Sequence, residues 1–362
     1  MVRPEGAEMA VDLRRREGAH CRRTRALVSS AFLGALALVE ASGCSRDSAA
    51  VREVPGTTSE SAGAPALEAR SGPFVRVLGT VQDGGLPHVA CSCDHCDAAR
   101  GDPARRRWIA SLALVLPESR RVYLFDATPD LGPQLELLRD VRDAPARRVD
   151  RAPVDGVFLT HAHIGHYLGL AFFGYEAVHT SGVRVYSSSR MADFLRHNGP
   201  WSQLVELDNI RLLELSPDEP VELEPGLRVT PFQAPHRDEY ADTLGFTIQG
   251  RHHRLLYLPD TDSWEAWPRP VEETLEEVDF ALLDGTFFSP AELPGRDVTA
   301  IGHPLITTTM DLLQRLVERG RTAVFFTHLN HSNPALDPHS EARRQIDSRG
   351  FRVLYEGQEF PL

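Results

Sequence analysis

The sequence predicts an α/β fold in which helices cover the outer faces of two sheets. Two observations carry this. From Phe74 onward the chain breaks into many short β-rich runs, more than a single sheet would usually hold, and segments with helical periodicity are interleaved among them. A third observation bears on function: several of these runs end on a histidine or an aspartate.

In chain order, strands are expected at Phe74–Leu78, Ser111–Leu116, Arg121–Phe125, Val157–Leu159, Val183–Tyr186, Leu227–Phe232, Leu244–Ile248, Leu255–Leu258, Phe280–Leu283, Ala323–Thr327 and Phe351–Tyr355. Helices are expected from about Tyr167 to Ala177, from Arg190 to His197 and from His339 to Ser348. The strongest helical signal is Ile306, Met310, Leu313 and Val317, which recur at three- and four-residue steps along one face, with Gly320 as a stop. No internal repeat interrupts the pattern.

At 362 residues, 42% hydrophobic and 25% charged, the chain is ordinary globular material with enough length for one large domain. A net charge of −12 argues against nucleic acid as a partner, because phosphate contacts need clustered Lys and Arg. Arg14-Arg15-Arg16 and Arg22-Arg23-Thr24-Arg25 precede an apolar segment, Ala26 to Val39, that is short for a membrane span and ends at Ala41-Ser42-Gly43-Cys44. Residues 1–44 are therefore expected to be an export signal, with Cys44 carrying lipid. Arg22-Arg23 also resembles the twin-arginine pair of the route for prefolded proteins. Residues 45–73 are rich in Ser, Ala, Gly, Pro and Glu, which cannot bury enough surface to fold, and are expected to be a linker. The domain at 74–362 would then sit in the periplasm or at the cell surface, touching the membrane only through Cys44. A leader without function would leave it in the cytoplasm.

The chemistry starts at Thr160-His161-Ala162-His163-Ile164-Gly165-His166, directly after the apolar run Val157-Phe158-Leu159. A strand edge sets His161 and His163 on one face, and the turn brings His166 back toward them. Pro235-His236, Leu258-Pro259-Asp260, Leu283-Asp284-Gly285, Gly302-His303 and Thr327-His328 end apolar runs in the same way. One such ending is noise, but the set, with a His-x-His among it, points to a shared metal centre. Phe172, Phe173, Trp201, Phe287 and Phe288 suggest an apolar wall for a substrate, or simply core.

A second constellation is Cys91-Ser92-Cys93-Asp94-His95-Cys96, which holds three of the five cysteines of the chain; Cys21 and Cys44 are the others. Thiolates in this spacing suit a structural zinc. It needs a fourth ligand, for which His331 in Thr327-His328-Leu329-Asn330-His331 is the first choice and His95 and His88 the alternatives. A disulfide is the competing reading in an oxidising compartment.

Together the histidine pattern resembles the metallo-β-lactamase superfamily over Phe74 to Leu362. The resemblance implies a four-layer αββα sandwich with metals at one edge between the sheets. It also implies that His161, His163 and His236 hold a first metal, His166 and His328 a second, and that Asp260 bridges them. The family's Asp before the third His is Gly165 here, so the second site is expected to be weaker unless Asp262 or Asp284 compensates. The cysteine loop narrows the resemblance to two branches, coenzyme PQQ biosynthesis protein B and the cyclic phosphodiesterase of phosphonate utilisation. Leu78-Gly79-Thr80, Thr128-Pro129-Asp130, Asp284-Gly285-Thr286-Phe287, Gly302-His303-Pro304 and Asn330-His331-Ser332-Asn333-Pro334 look like the first branch, whereas the His-x-His set with Asp260 looks hydrolase-like.

The expected function is a metal-dependent hydrolase of a small ester, phosphodiester or related substrate. One structural zinc and one or two catalytic zinc ions would serve it, the latter lowering the pKa of water from near 16 to about 7. Asp260 would organise that water, and His303 would donate a proton, stabilise an oxyanion or only brace its loop. Two other readings follow from the same residues. One is an oxidative or accessory role like that of the first branch, with iron at the catalytic site and an intracellular partner peptide. The other is a noncatalytic exported binding protein that keeps metals for structure alone. Neither the substrate nor the oligomeric state is legible in the sequence.

Overall fold

The computed structural model describes residues 72–142, 150–268, 270–292, 295 and 302–362. The expected leader 1–44 and the expected linker up to residue 71 lie outside the described residues. Strands follow as β1 (Phe74–Gly79), β2 (Ser111–Leu116), β3 (Arg121–Phe125), β4 (Gly156–Phe158), β5 (Val183–Ser188), β6 (Ile210–Leu215) and β7 (Val221–Glu224). Next come β8 (Leu227–Ala234), β9 (Thr243–Gln249), β10 (Arg254–Leu258), β11 (Phe280–Asp284), β12 (Ala323–Thr327), β13 (Arg352–Val353) and β14 (Glu359–Pro361). The α-helices are α1 (Asp94–Gly101), α2 (Leu131–Glu136), α3 (Ile164–Tyr167), α4 (Ser189–His197), α5 (Trp201–Glu206), α6 (Val271–Leu275), α7 (Ile306–Glu318) and α8 (Glu341–Ser348).

Two seven-stranded sheets result, β14-β1-β2-β3-β4-β5-β6 and β13-β12-β11-β10-β9-β8-β7. Each has an antiparallel part and a parallel part: β3 to β6 are parallel in the first sheet, and β10 to β13 in the second. Strands covered on both faces read as unbroken apolar runs, and period-2 alternation then sorts the side chains. In β2, Leu112, Leu114 and Leu116 enter the layer between the sheets, while Ala113 and Val115 face outward. In β10, Leu255 and Tyr257 face inward, and Leu256 and Leu258 outward.

The inter-sheet core centres on Phe125, Phe158, Tyr186 and Phe246, with Phe158 stacked on Tyr186 at 4.4 Å between ring centroids and on Phe125 at 5.2 Å. Each such buried ring contributes about 1.5–3 kcal/mol of apolar burial. Met191 and Leu195 of α4 and Trp201 and Leu204 of α5 cover the outer face of the first sheet. Ile306, Met310, Leu313 and Leu316 of α7 and Ile346 of α8 cover that of the second. The architecture is thus the expected four-layer αββα sandwich.

Differences from the expected elements have local causes. The helix expected from Tyr167 to Ala177 is α3 followed by a 3-10 turn, Leu168–Phe173. It tightens where Gly169 lies against the Thr128 carbonyl, so close that a Cβ would sit 2.1 Å from that oxygen. The Phe351–Tyr355 strand shortens to Arg352–Val353. The unexpected strands β6, β7 and β14 lie at the sheet edges. There Glu222, Glu224 and Pro361 break the apolar pattern, as edge strands tolerate.

Candidate metal centre

The parallel strands of both sheets point their C-terminal ends at one edge, where open α/β sheets bind ligands. Asp126 follows β3, the His161–His166 segment follows β4, His236 follows β8, Asp260 follows β10, Asp284 ends β11 and His328 follows β12. Asp126 and His328 adopt left-handed backbone, φ +68° and +59°, a conformation non-glycine residues take only where surrounding structure enforces it.

Two sets of donor atoms share Asp260. His236 Nε2 lies 3.1 Å from Asp260 Oδ1 and 3.3 Å from His163 Nδ1, and His161 Nε2 lies 3.3 Å from Asp260 Oδ2. These four residues form one cluster able to hold a cation. On the other edge of Asp260, His166 Nε2 and His328 Nε2 approach Oδ2 at 3.9 and 3.8 Å. The structure therefore brings together every histidine expected at the catalytic centre. Two nitrogens on a tetrahedral zinc stand about 3.4 Å apart at ordinary zinc–nitrogen lengths, which matches the His163–His236 spacing. His161 Nε2, His166 Nε2, His328 Nε2, Asp260 Oδ1 and Asp83 Oδ1 are buried without a hydrogen bond. Each buried polar atom left so costs about 1–3 kcal/mol, so the cluster fits a shared cation.

The outer edges of the rings are held in turn, which fixes tautomer and orientation. His166 Nδ1 donates to Asp126 Oδ2 at 2.7 Å, and Asp126 also accepts from the Thr160 backbone N–H at 2.8 Å. His161 Nδ1 meets Thr160 Oγ1, His328 Nδ1 meets Thr286 Oγ1, and His236 Nδ1 meets Asp262 Oδ1 at 3.1 Å. Asp284 accepts from the backbone N–H groups of Thr261 and Thr286 and holds His303 Nδ1 at 2.9 Å. Asp284 lies with His328 and Asp260 in one donor cluster, whereas Asp262 is in none of the clusters among the described residues. Asp262 stands behind His236, and Asp284 braces His303 and the Thr286 turn. A further cluster of Asp260, Asp284, His303 and His328 could also take a cation. Thr286 Oγ1 adds a fourth donor to Asp284 at 2.7 Å, and these four favour the bracing role.

Charge follows from this layout. Burial and then the His166 charge hold His161 well below the ordinary histidine value. Burial opposes protonation of His166 and His303 too, but Asp126 at the first and Asp284 with Asp260 at the second raise both well above it. Burial pushes Asp260 up, yet His303, His328, His161 and His163 hold its carboxyl well below the usual range. The centre favours an anionic bridge ringed by imidazoles.

The cysteines assemble separately. Sγ of Cys91, Cys93 and Cys96 lie 3.5, 3.6 and 3.8 Å from His331 Nδ1. A tetrahedral zinc with three sulfurs and one nitrogen sets such pairs about 3.6 Å apart. His95 instead turns Nδ1 to the His331 carbonyl, and His88 turns Nδ1 to its neighbour's carbonyl, so neither completes the cluster. All three thiols are free, and no disulfide joins them.

Sequence reasoning missed Asp83 and Asp126. Asp83 Oδ1 stands 3.3 Å from His166 Nε2 and 3.7 Å from His328 Nε2. Its only signal was an acidic residue in the Gly-rich turn after the first strand. Of the aromatic residues expected as wall or core, Phe173, Trp201 and Phe288 are core, Phe172 is exposed, and Phe287 lies edge to face with His303 at 5.9 Å. A cleft of about 570 Å³ opens instead beside Asp83, walled by Leu86, Val89, Trp108, Ile109, Ile164 and Leu168.

Two facing sheets with this histidine–aspartate cage at one edge define a metal-binding αββα protein, and the chain belongs to the metallo-β-lactamase superfamily. The family described as Beta-lactamase superfamily domain matches residues 121–329. Among curated proteins, the chain is 28% identical over 310 residues to coenzyme PQQ synthesis protein B of Methylobacterium sp. (strain 4-46), covering 79% of this chain and 99% of that one. The crystal structure of Zn(2+)-bound PqqB from Methylobacterium extorquens superposes with a TM-score of 0.67 at 23% identity, over 80% of this chain and all of that one. A diphosphatase from the PhnP family superposes at 0.58 and 22% identity, over 80% and 97%.

These relatives overturn the expectation of an exported, lipid-anchored protein. Proteins named for coenzyme synthesis match this chain along 99% of their own length. No helix among the described residues is long and apolar enough to cross a membrane.

Proposed function

We propose that the protein is a metal-dependent hydrolase of a small ester or phosphodiester that carries an apolar group. One observation carries the reading: buried, hydrogen-bond-free donor atoms of His161, His166, His328 and Asp260 gather with those of His163 and His236 at the sheet edge, in two adjoining sets that share Asp260. A divalent ion bound there, zinc as in the superposed relative, supplies a Lewis acid and a water acidified to near neutrality. The chain's own residues do the rest. Asp260 accepts a hydrogen bond from the attacking water and orients it. His303, held at Nδ1 by Asp284, keeps a proton for the leaving group. The cleft walled by Trp108, Ile109 and Leu86 excludes water around the apolar part of the substrate.

Metal-depleted protein reconstituted with zinc and screened against phosphodiester, lactone and lactam substrates should turn over at least one class. Replacement of His163 by Ala should abolish that turnover. Folding that weakens in the His163→Ala variant with no activity ever present would instead mark the metals as structural.

The names of the curated relatives favour a second reading, a role in making a quinone coenzyme. Protein purified without added metal separates the two. Zinc with hydrolytic turnover supports hydrolysis, and iron with oxygen uptake supports the coenzyme role.

A further inference from the structure

Gly165 lies in α3 with ordinary backbone, not in the left-handed region that calls for glycine. Its reason is space. A Cβ at residue 165 would fall 2.3 Å from Asp83 Oδ1, 2.6 Å from Asp83 Cγ and 2.8 Å from Asp83 Cα. Real Cβ atoms do not approach that closely, so no side chain fits at 165 while Asp83 stands where it does. The carboxylate of Asp83 fills the volume into which a residue at 165 would project.

The placement of Asp83 is built. Val81 forms isolated bridges to both Ile109 and Leu329, Gln82 N donates to Leu329 O at 3.0 Å, and Leu329 N donates to Thr80 O at 3.0 Å. These bonds stitch the segment before Asp83 to the residue after His328. A turn closed by Gly85 N to Gln82 O, with Gly85 at φ +69°, then aims the carboxylate inward. Its Oδ1 is buried without a hydrogen bond and faces the equally bare Nε2 atoms of His166 and His328.

We propose that Asp83 is the carboxylate ligand of a second metal ion held with His166, His328 and Asp260, in exchange for the side chain absent at Gly165. The assignment rests on the metal-centre reading above and adds to it a ligand from a different loop. The second site is then complete, with two imidazoles, one bridging carboxylate and one terminal carboxylate, a donor set that suits zinc and harder divalent ions alike.

The test counts metal in purified full-length protein and measures zinc affinity by chelator competition, with circular dichroism as a control for folding. Wild-type protein should hold three zinc ions per chain, one at the cysteines and two at the histidines. Asp83→Gly and the shape-conserving Asp83→Asn should each hold the second histidine-bound ion about 100-fold more weakly, at or beyond the loss seen when outer-sphere partners are removed. Gly165→Asp alone should lower the melting temperature by collision with Asp83. The double variant Asp83→Gly/Gly165→Asp should regain the third ion, with three consecutive glycines at 83–85 free to yield the remaining few tenths of an ångström. Folded Asp83 variants that keep all wild-type ions at wild-type affinity overturn the assignment alone. A wild-type chain that binds metal only at the cysteines overturns the metal-centre reading with it.

Discussion

Asp126 shows how much a single residue outside the cage can govern. It accepts hydrogen bonds from His166 Nδ1 and from two donors of Thr160, and so leaves Nε2 of the neutral ring as the nitrogen free to ligate. Asn in its place can offer an N–H to that nitrogen and select the wrong tautomer. Asp126→Asn is expected to weaken metal binding at His166 by about 10–100-fold with little change in melting temperature, measured by metal titration and thermal unfolding. The histidines of the cage and the cysteines of the loop were legible because each ends an apolar run or crowds into a short motif. Asp83 and Asp126 were not, since an acidic residue after a strand reads as turn chemistry. Only the pairing of Val81 with Leu329, far along the chain, brings Asp83 to the centre.

At the scale of elements, strands buried on both faces were the readable part, because continuous apolar runs such as Ser111–Leu116 and Ala323–Thr327 need no partner to be recognised. Helix α7 shared that clarity through its one-sided periodicity. Short helices such as α1 and α5, and edge strands with glutamates, depend on tertiary contact and were silent. Glu356, between β13 and β14, illustrates such contact. Its carboxylate accepts from Thr80 Oγ1 at 2.9 Å and the Trp108 backbone N–H at 3.2 Å, tying the last turn to the walls of the cleft. Burial raises its pKa, with Arg107 and these donors offsetting only part. A carboxyl raised in the folded state favours folding while protonated and loses that contribution as pH climbs through the folded pKa. Glu356→Gln keeps the acceptor without the charge. Its melting temperature relative to wild type should therefore rise as pH climbs above the ordinary glutamate value; parallel curves would refute the account.

For the whole molecule, the C-terminus closes the sandwich. β14 pairs with β1, and Phe360 and Leu362 enter the layer between the sheets, with Phe360 edge-on to Phe325 at 5.0 Å. Phe360→Ala should cost about 3–5 kcal/mol in chemical denaturation, because a ring-sized cavity opens at the junction of both sheets. Metal binding at the histidine cage should persist in this variant, since the cage sits on strand ends elsewhere. The four-layer plan was legible in the sequence as strands interleaved with helices, but the order of the strands was not. That order depends on which edges meet.

The collision between Asp83 and any side chain at 165 also constrains descent. A lineage moving its carboxylate from one position to the other by single changes must pass through a protein with two that clash or with none. Either intermediate is penalised, so the two arrangements should be inherited as alternatives that seldom interconvert. If Asp83 is the ligand, Asp83 and Gly165 should occur together among relatives, and a motif search that insists on an acidic residue at 165 would pass such chains by.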